Sequence, residues 1–285
     1  MVNESLHTTA LYARKHASNS WWKVLLLGAL FYFLGIAILF LTHNPNLFPT
    51  VVILGNFMVP ATYVAFFYER RHWSRLDMPT TAKGLLYGGV LGVFAASLLE
   101  PLLVIGNSPI GMFEVALIEE LVKILGVLLI LRRQRHDAEL DGLILGAAAG
   151  MGFAALESTG YAFSAFLQSG GNPSAAFVIT LMRGIMSPLG HGTWTAILAA
   201  VIFRESDGAA YHFNRRVWGA YLVVVLLHAL WDLVPGLLGA LFQSNWAVLG
   251  SIVVIGAAGL LILWWRWREA KRRQLKAMEM EQEAV

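Results

Sequence analysis

The stretch ALIEELVKI, residues 116–124, sets two adjacent carboxylates, Glu119 and Glu120, and an amine, Lys123, inside an otherwise apolar run. Further along, GFAALES carries Glu157, MRGIMSPLGHGTWT carries Arg183 and His191, and LHALWD carries His228 and Asp232. Glutamate and histidine can activate water directly, as general base and imidazole partner. They can also hold a metal whose bound water becomes the nucleophile. Hydrolysis of an amide needs a base, an oxyanion stabiliser and a proton donor for the leaving amine. Glu119 or Glu120, Glu157, His191 and His228 can fill all three roles.

Spacing adds to this. Glu119 and Lys123, His191 and Thr195, and His228 and Asp232 are each four residues apart, and on a helix such pairs share a face. Lys123 can neutralise one of the glutamates. Asp232 can orient His228 and fix its tautomer. Other hydrolytic arrangements are missing from the sequence. There is no HExxH and no serine in a GxSxG turn. The chain has no cysteine, which excludes a thiol nucleophile, thiolate ligands and disulfides.

These residues need elements to carry them. The chain has 285 residues, 57% hydrophobic and 14% charged, with mean hydropathy +0.62. A soluble domain carries about a quarter charged residues. Several runs here approach the ~20 apolar residues that cross ~30 Å of hydrocarbon. The reading is an all-α polytopic membrane protein with eight spans, at 23–41, 50–68, 83–105, 111–131, 142–167, 176–203, 217–238 and 246–267. Asp232 is the only aspartate inside them, so an aspartyl pair is unavailable. The net charge is +3 and the pI about 9.2. The basic residues flank the apolar runs, so the partner they fit is the bilayer surface and not nucleic acid.

Loop charge orients the spans. YERRHWSRLDMPTTAK, RRQRHDAELD and FRESDGAAYHFNRR are rich in arginine and lysine, whereas THNPNLFPT, GNSPIG, QSGGNPS and GALFQSNW have neither. Positive residues stay on the cytoplasmic side, which places both termini there. The segment 1–22, with Arg14 and Lys15, reads as a cytoplasmic lead. The run VLLLGALFYFLGIAILFL that follows is longer than a signal core and has no small-x-small cleavage site after it, so it reads as a retained first helix. Residues 23–267 form one transmembrane domain with its core at about 111–238. Residues 268–285 read as a charged helical tail whose basic part rests at anionic headgroups.

Ionisable residues inside spans are costly and mark functional sites by default. Glu119 falls about eight residues, roughly 12 Å, into its helix from the outer side. Glu157 is roughly 15 Å from its outer end, and His228 and Asp232 roughly 9–15 Å from theirs. His191 is roughly 22 Å in, on a helix that Pro188 and glycines make irregular. A lone Glu–Lys pair or a lone histidine in a span serves packing. Five acid or imidazole groups on four helices at a shared depth point to a site between the midplane and the outer leaflet. Glu100, near the outer end of the third span, is expected to form a structural pair with Arg183. Gly84, Gly88 and Gly92, and Gly142, Gly146 and Gly150, recur every four residues and predict close helix approach. Proton relays and transporters also use such residues, but the inverted repeats usual in transporters are not found. A noncatalytic scaffold would not need the full set.

The set EELVK, GFAALES, HGTWT and HALWD, in this order on successive helices, resembles the PrsW family of bacterial intramembrane proteases. That family shares a superfamily with the type II CAAX prenyl endopeptidases and the bacteriocin-processing enzymes. The resemblance covers roughly residues 50–240, most strongly 113–233. It implies a helical core with Glu119 as base and with Glu120 and Lys123 shaping or neutralising the site. It implies that His228 and Asp232 stand where the prenyl endopeptidases bind the oxyanion. Glu157 replaces a histidine of those enzymes and Asp232 an asparagine. Both changes add negative charge and favour a cation, which Glu157, His191 and His228 are expected to hold. PrsW proteins are described as metalloproteases, so the implied cofactor is a divalent metal such as zinc. The implied partner is a membrane-protein substrate, such as a single-span anti-sigma factor cut near its extracytoplasmic side. The implied location is the bacterial cytoplasmic membrane, as a multi-pass protein.

Overall fold

The computed structural model describes residues 20–71, 74, 76–106, 108–130, 138–207 and 210–283. The expected cytoplasmic lead up to residue 19, with Arg14 and Lys15, and the basic stretch 131–137 lie outside these. So do the last two residues of the tail.

The described residues form helices and no strand. They are α1 (Trp21–Thr42), α2 (Phe48–Glu69) after a 3-10 turn at Pro45–Leu47, α3 (Met78–Leu103), α4 (Pro109–Ile130), α5 (Glu139–Gln168), α6 (Pro173–Met186), α7 (His191–Arg204), α8 (Arg215–Phe242) and α9 (Asn245–Glu283). Seven segments are long and apolar enough to cross a membrane, with α6 and α7 together making one of them. The eighth expected span, α4, has 22 residues, but Glu114, Glu119, Glu120 and Lys123 dilute its apolar character. Three of those four side chains are buried in the protein and do not meet lipid. The architecture is that of an all-α polytopic membrane protein.

The sixth span departs from a single helix over 176–203. It ends at Met186, makes a 3-10 turn at Ser187–Leu189, and restarts at His191. Pro188 has no N–H to donate, and Gly190 takes φ −114, ψ −123, outside the helical region. Broken backbone at membrane depth survives only where the freed groups find partners. Here the Thr193 hydroxyl donates to the Pro188 carbonyl at 2.6 Å, and Tyr63 Oη lies 3.0 Å from Thr193 Oγ1. The break leaves His191 as the first residue of α7, deep in the bundle.

Helix α5 is the axis of the fold. Every residue from 139 to 155 is buried. Its GAAAG run has almost no side-chain volume, so neighbouring backbones come close. Gly142 and Gly146 face the Ala199 and Thr195 carbonyls of α7, and Gly150 faces the carbonyl of His191. Gly84, Gly88 and Gly92 of α3 face Leu145, Ala149 and Phe153 on another side of α5. Both glycine stripes therefore pack where close approach was expected. By contrast α1 turns Leu26, Leu27, Leu30 and Phe31 outward, the face a lipid-contacting helix presents.

Helix α9 runs without a break through the expected boundary at 267 and on to Glu283. Its Arg266 and Glu269 pin it to the rest of the bundle. Arg266 reaches Glu139 of α5 at 3.4 Å, and Glu269 reaches Arg204 of α7 at 3.3 Å. Helix α5 also starts three residues earlier than expected and so includes Asp141, which is buried in its first turn. Asp141 lies sixteen residues before Glu157 on the same helix, roughly 24 Å away, and forms no aspartyl pair with Asp232.

Candidate active site

One turn of α4 supplies three charged groups. Glu119, Glu120 and Lys123 all point into the bundle, and neither Glu120 nor Lys123 exposes any side-chain surface. Lys123 Nζ lies 3.0 Å from Glu119 Oε2 and 2.8 Å from Glu120 Oε1. It is also 2.7 Å from His191 Nδ1 and sits 4.3 Å over the centre of the Phe153 ring. Burying two adjacent carboxylates is tolerable because the ammonium serves both.

Helix α8 brings in His228. Its Nδ1 is 3.0 Å from Glu120 Oε1. A carboxylate only accepts, so His228 donates there and Nδ1 carries a proton. Nε2 then faces Glu119 Oε2 at 3.7 Å and Asp232 Oδ2 at 3.3 Å. The restart of α7 at Gly190 brings in His191. Its Nε2 lies 3.1 Å from Glu157 Oε2, and its Nδ1 lies 3.8 Å from Glu119 Oε2. An ammonium donating to Nδ1 leaves Nε2–H to donate to Glu157. Glu157 in turn is held by Arg183 of α6, whose Nη2 is 2.6 Å away and whose Nε donates to Ser158 Oγ at 3.0 Å.

Aromatic packing fixes the rings. Trp194 stacks on His228 with centroids 4.8 Å apart and planes at 28°. The two histidines meet edge to face at 5.0 Å, and Phe153 lies 5.3 Å from His191. The cluster is most open on the side of Arg183 and Asp232, whose side chains are 31% and 35% exposed.

Five helices thus bring Glu119, Glu120, Glu157, His191, His228 and Asp232 into one connected cluster, with Lys123 and Arg183 inside it. Two expectations need correction. Thr195 is not part of the network: its hydroxyl is buried and forms no hydrogen bond, because its stretch of α7 packs against Gly146. Arg183 does not pair with Glu100. Helix α6 packs on α2 and α5, whereas α3, which carries Glu100, packs on α4 and α5, so Glu157 is the carboxylate within reach. Three contributors were not singled out in the sequence. Trp194 and Phe153 lie inside HGTWT and GFAALES but read there as plain apolar residues. Ser158 follows Glu157 directly and reads as an ordinary small residue.

Among the described residues, Glu119, His191 and His228 each place a donor atom within 4.8 Å of the others. Two imidazoles and a carboxylate are ligands that suit zinc. Glu119 Oε2 is buried with no hydrogen bond of good geometry, its lysine contact being an ion pair. The trio therefore fits a divalent cation. Glu157, expected as the carboxylate ligand, lies outside it, since Arg183 and His191 Nε2 occupy its Oε2.

A model of the PrsW family, described as intramembrane metalloproteases, matches residues 78–263. The chain belongs to the PrsW family. The PrsW match runs from the start of α3 into α9 and takes in every residue of the cluster, while α1 and α2 precede it. Comparison with curated proteins gives no match, and neither does comparison with solved structures.

Proposed function

We propose that the chain is an endopeptidase that hydrolyses a peptide bond of a membrane-protein substrate within the bilayer. One observation carries the reading. Glu119 Oε2 faces both imidazoles, His191 Nδ1 at 3.8 Å and His228 Nε2 at 3.7 Å, and its closest partner is the Lys123 ammonium at 3.0 Å. A carboxylate in that position can take a proton from a water lying between it and a scissile carbonyl.

The other residues then have distinct tasks. Glu119 accepts the water proton as oxygen attacks the carbonyl carbon. His228, held by Glu120 and Asp232, meets the developing oxyanion. The proton that Glu119 has gained then passes to the leaving amine, beside His191, which Glu157 and Arg183 hold in place. Positioned donors in a dry site act most strongly where charge develops in the transition state. A bound divalent cation such as zinc would be held by Glu119, His191 and His228 and would supply an acidified water and a Lewis acid.

The loop charges support a topology with both termini cytoplasmic. The site then lies towards the extracytoplasmic half of a bacterial cytoplasmic membrane. A single-span substrate of the anti-sigma-factor kind fits an entrance on the Arg183–Asp232 side. The test is cleavage of a reconstituted single-span protein by the wild-type chain and by Glu119→Gln, each with and without a chelator. Cleavage by the wild type alone supports the reading, and the chelator arm reports on the cation. Equal rates for the two proteins would sink it.

A further inference from the structure

The centre of the donor set already holds a positive charge. Lys123 Nζ lies 3.0 Å from Glu119 Oε2, 2.8 Å from Glu120 Oε1 and 2.7 Å from His191 Nδ1, and the lysine is fully buried. Two of those three atoms belong to residues of the Glu119, His191 and His228 trio. We infer that Lys123 is a tethered cation that competes with a divalent metal for this site, so that metal binds only when the ammonium leaves His191 Nδ1. This rests on the site reading above, because both use the same donors.

The argument is one of lone pairs and charge. An imidazole nitrogen has a single lone pair in the ring plane. His191 Nδ1 is turned to Lys123 and its Nε2 to Glu157 Oε2 at 3.1 Å, so neither nitrogen is free for a metal. Glu119 is different, since a carboxylate oxygen can serve two partners at once. His228 Nε2 faces two carboxylates, Asp232 at 3.3 Å and Glu119 at 3.7 Å, and not the ammonium. The contested atom is therefore His191 Nδ1. A metal there would also stand beside the ammonium, and like charges repel strongly in a buried site.

Lysine suits this role better than arginine. It is a point charge on a flexible stem, and Phe153 offers its ring face 4.3 Å from Nζ, a contact that attracts a cation without using any metal ligand. Arginine is bulkier, and its planar fork would span several acceptors at once. The site thus has two alternative fillings, one centred on the ammonium and one on the metal.

Cobalt(II) binding to the purified full chain in detergent, followed by its visible absorption, reads this without any activity. Lys123→Met should bind Co2+ at least tenfold more tightly than wild type, and Lys123→Gln should also gain. Lys123→Arg should bind more weakly than wild type. Adding His191→Ala to Lys123→Met should remove the gain. Equal or weaker binding by a folded Lys123→Met or Lys123→Gln overturns the inference. If neither folds, as judged by elution and melting, Lys123→Arg decides. Weaker binding supports competition, and equal or tighter binding overturns it. Cleavage that depends on Glu119, with no gain in the Lys123 variants, would remove this inference and leave the protease reading intact. A gain in binding by a chain that cleaves nothing would do the reverse.

Discussion

Glu120 and His228 join α4 to α8 through a buried contact, Oε1 to Nδ1 at 3.0 Å. The same oxygen takes the Lys123 ammonium at 2.8 Å. Glu120 is thus committed twice through one oxygen, whereas Glu119 shares the ammonium at 3.0 Å and turns the same Oε2 to both imidazoles. Adjacent glutamates on one helix have different work.

That difference predicts different signatures for two similar variants. Glu119→Gln should cut the cleavage rate by about 10²–10⁴-fold, the usual contribution of a general base, and should lower melting less than Glu120→Gln does, because Glu120 still holds both the Lys123 ammonium and His228. Glu120→Gln breaks a buried charge pair, which typically costs about 3–5 kcal/mol. It should lower the melting temperature markedly as well as the rate. Single-turnover cleavage and thermal unfolding of both proteins separate the roles, and a Glu119→Gln enzyme at the wild-type rate would remove Glu119 as base.

Asp232 is less committed than Glu120. It is 35% exposed and approaches His228 Nε2 at 3.3 Å, while the tautomer is already set by Glu120 at Nδ1. Asp232→Asn should therefore slow cleavage less than Glu120→Gln does, and should leave melting nearly unchanged. The rates of the two variants on one substrate check this. A larger loss for Asp232→Asn would mean that its negative charge on Nε2 is what the chemistry requires.

Gly150 sets the position of His191. A methyl group there would run into the His191 carbonyl, which is backbone and cannot swing away. Overpacking of this kind costs about 1–3 kcal/mol. Gly150→Ala should lower melting and also slow cleavage, because α7 must move and carry His191 with it. Gly160, on the same helix, has nothing within 4 Å of such a methyl. Gly160→Ala should match wild type in both measurements, and parity of the two variants would argue against close packing at Gly150.

Orientation can be read directly. Reporter fusions after residues 45, 107, 170 and 243 should all report the extracytoplasmic side. A cytoplasmic signal at any one of them would break the eight-span arrangement that the loop charges support.

Much of this protein is written in its sequence. Apolar length and the cost of charge in hydrocarbon are local properties, so the helices and the unusual residues within them can be read one segment at a time. The stripes at Gly84, Gly88 and Gly92 and at Gly142, Gly146 and Gly150 were legible for the same reason, since a four-residue period is a property of one helix. So was the shared depth of Glu119, Glu157, His228 and Asp232, which needs only counting along each span.

What the sequence left open was which helix faces which. A helical period says that Glu119 and Lys123 share a face, but not that His191 completes the set around Lys123. In a bilayer the lipid is as apolar as the packing surfaces, so hydrophobicity does not choose neighbours, and close backbone approach does. That choice gave Glu157 to Arg183 instead of Glu100 and gave the Glu120 carboxylate to His228. The break at Gly190 was also decided in three dimensions. Pro188 signals irregularity, yet only the partners found by Thr193 at Pro188 and Tyr63 make broken backbone tolerable there. Spans and candidate groups follow from single-segment energetics, and their partners follow from packing, which is a property of the whole bundle.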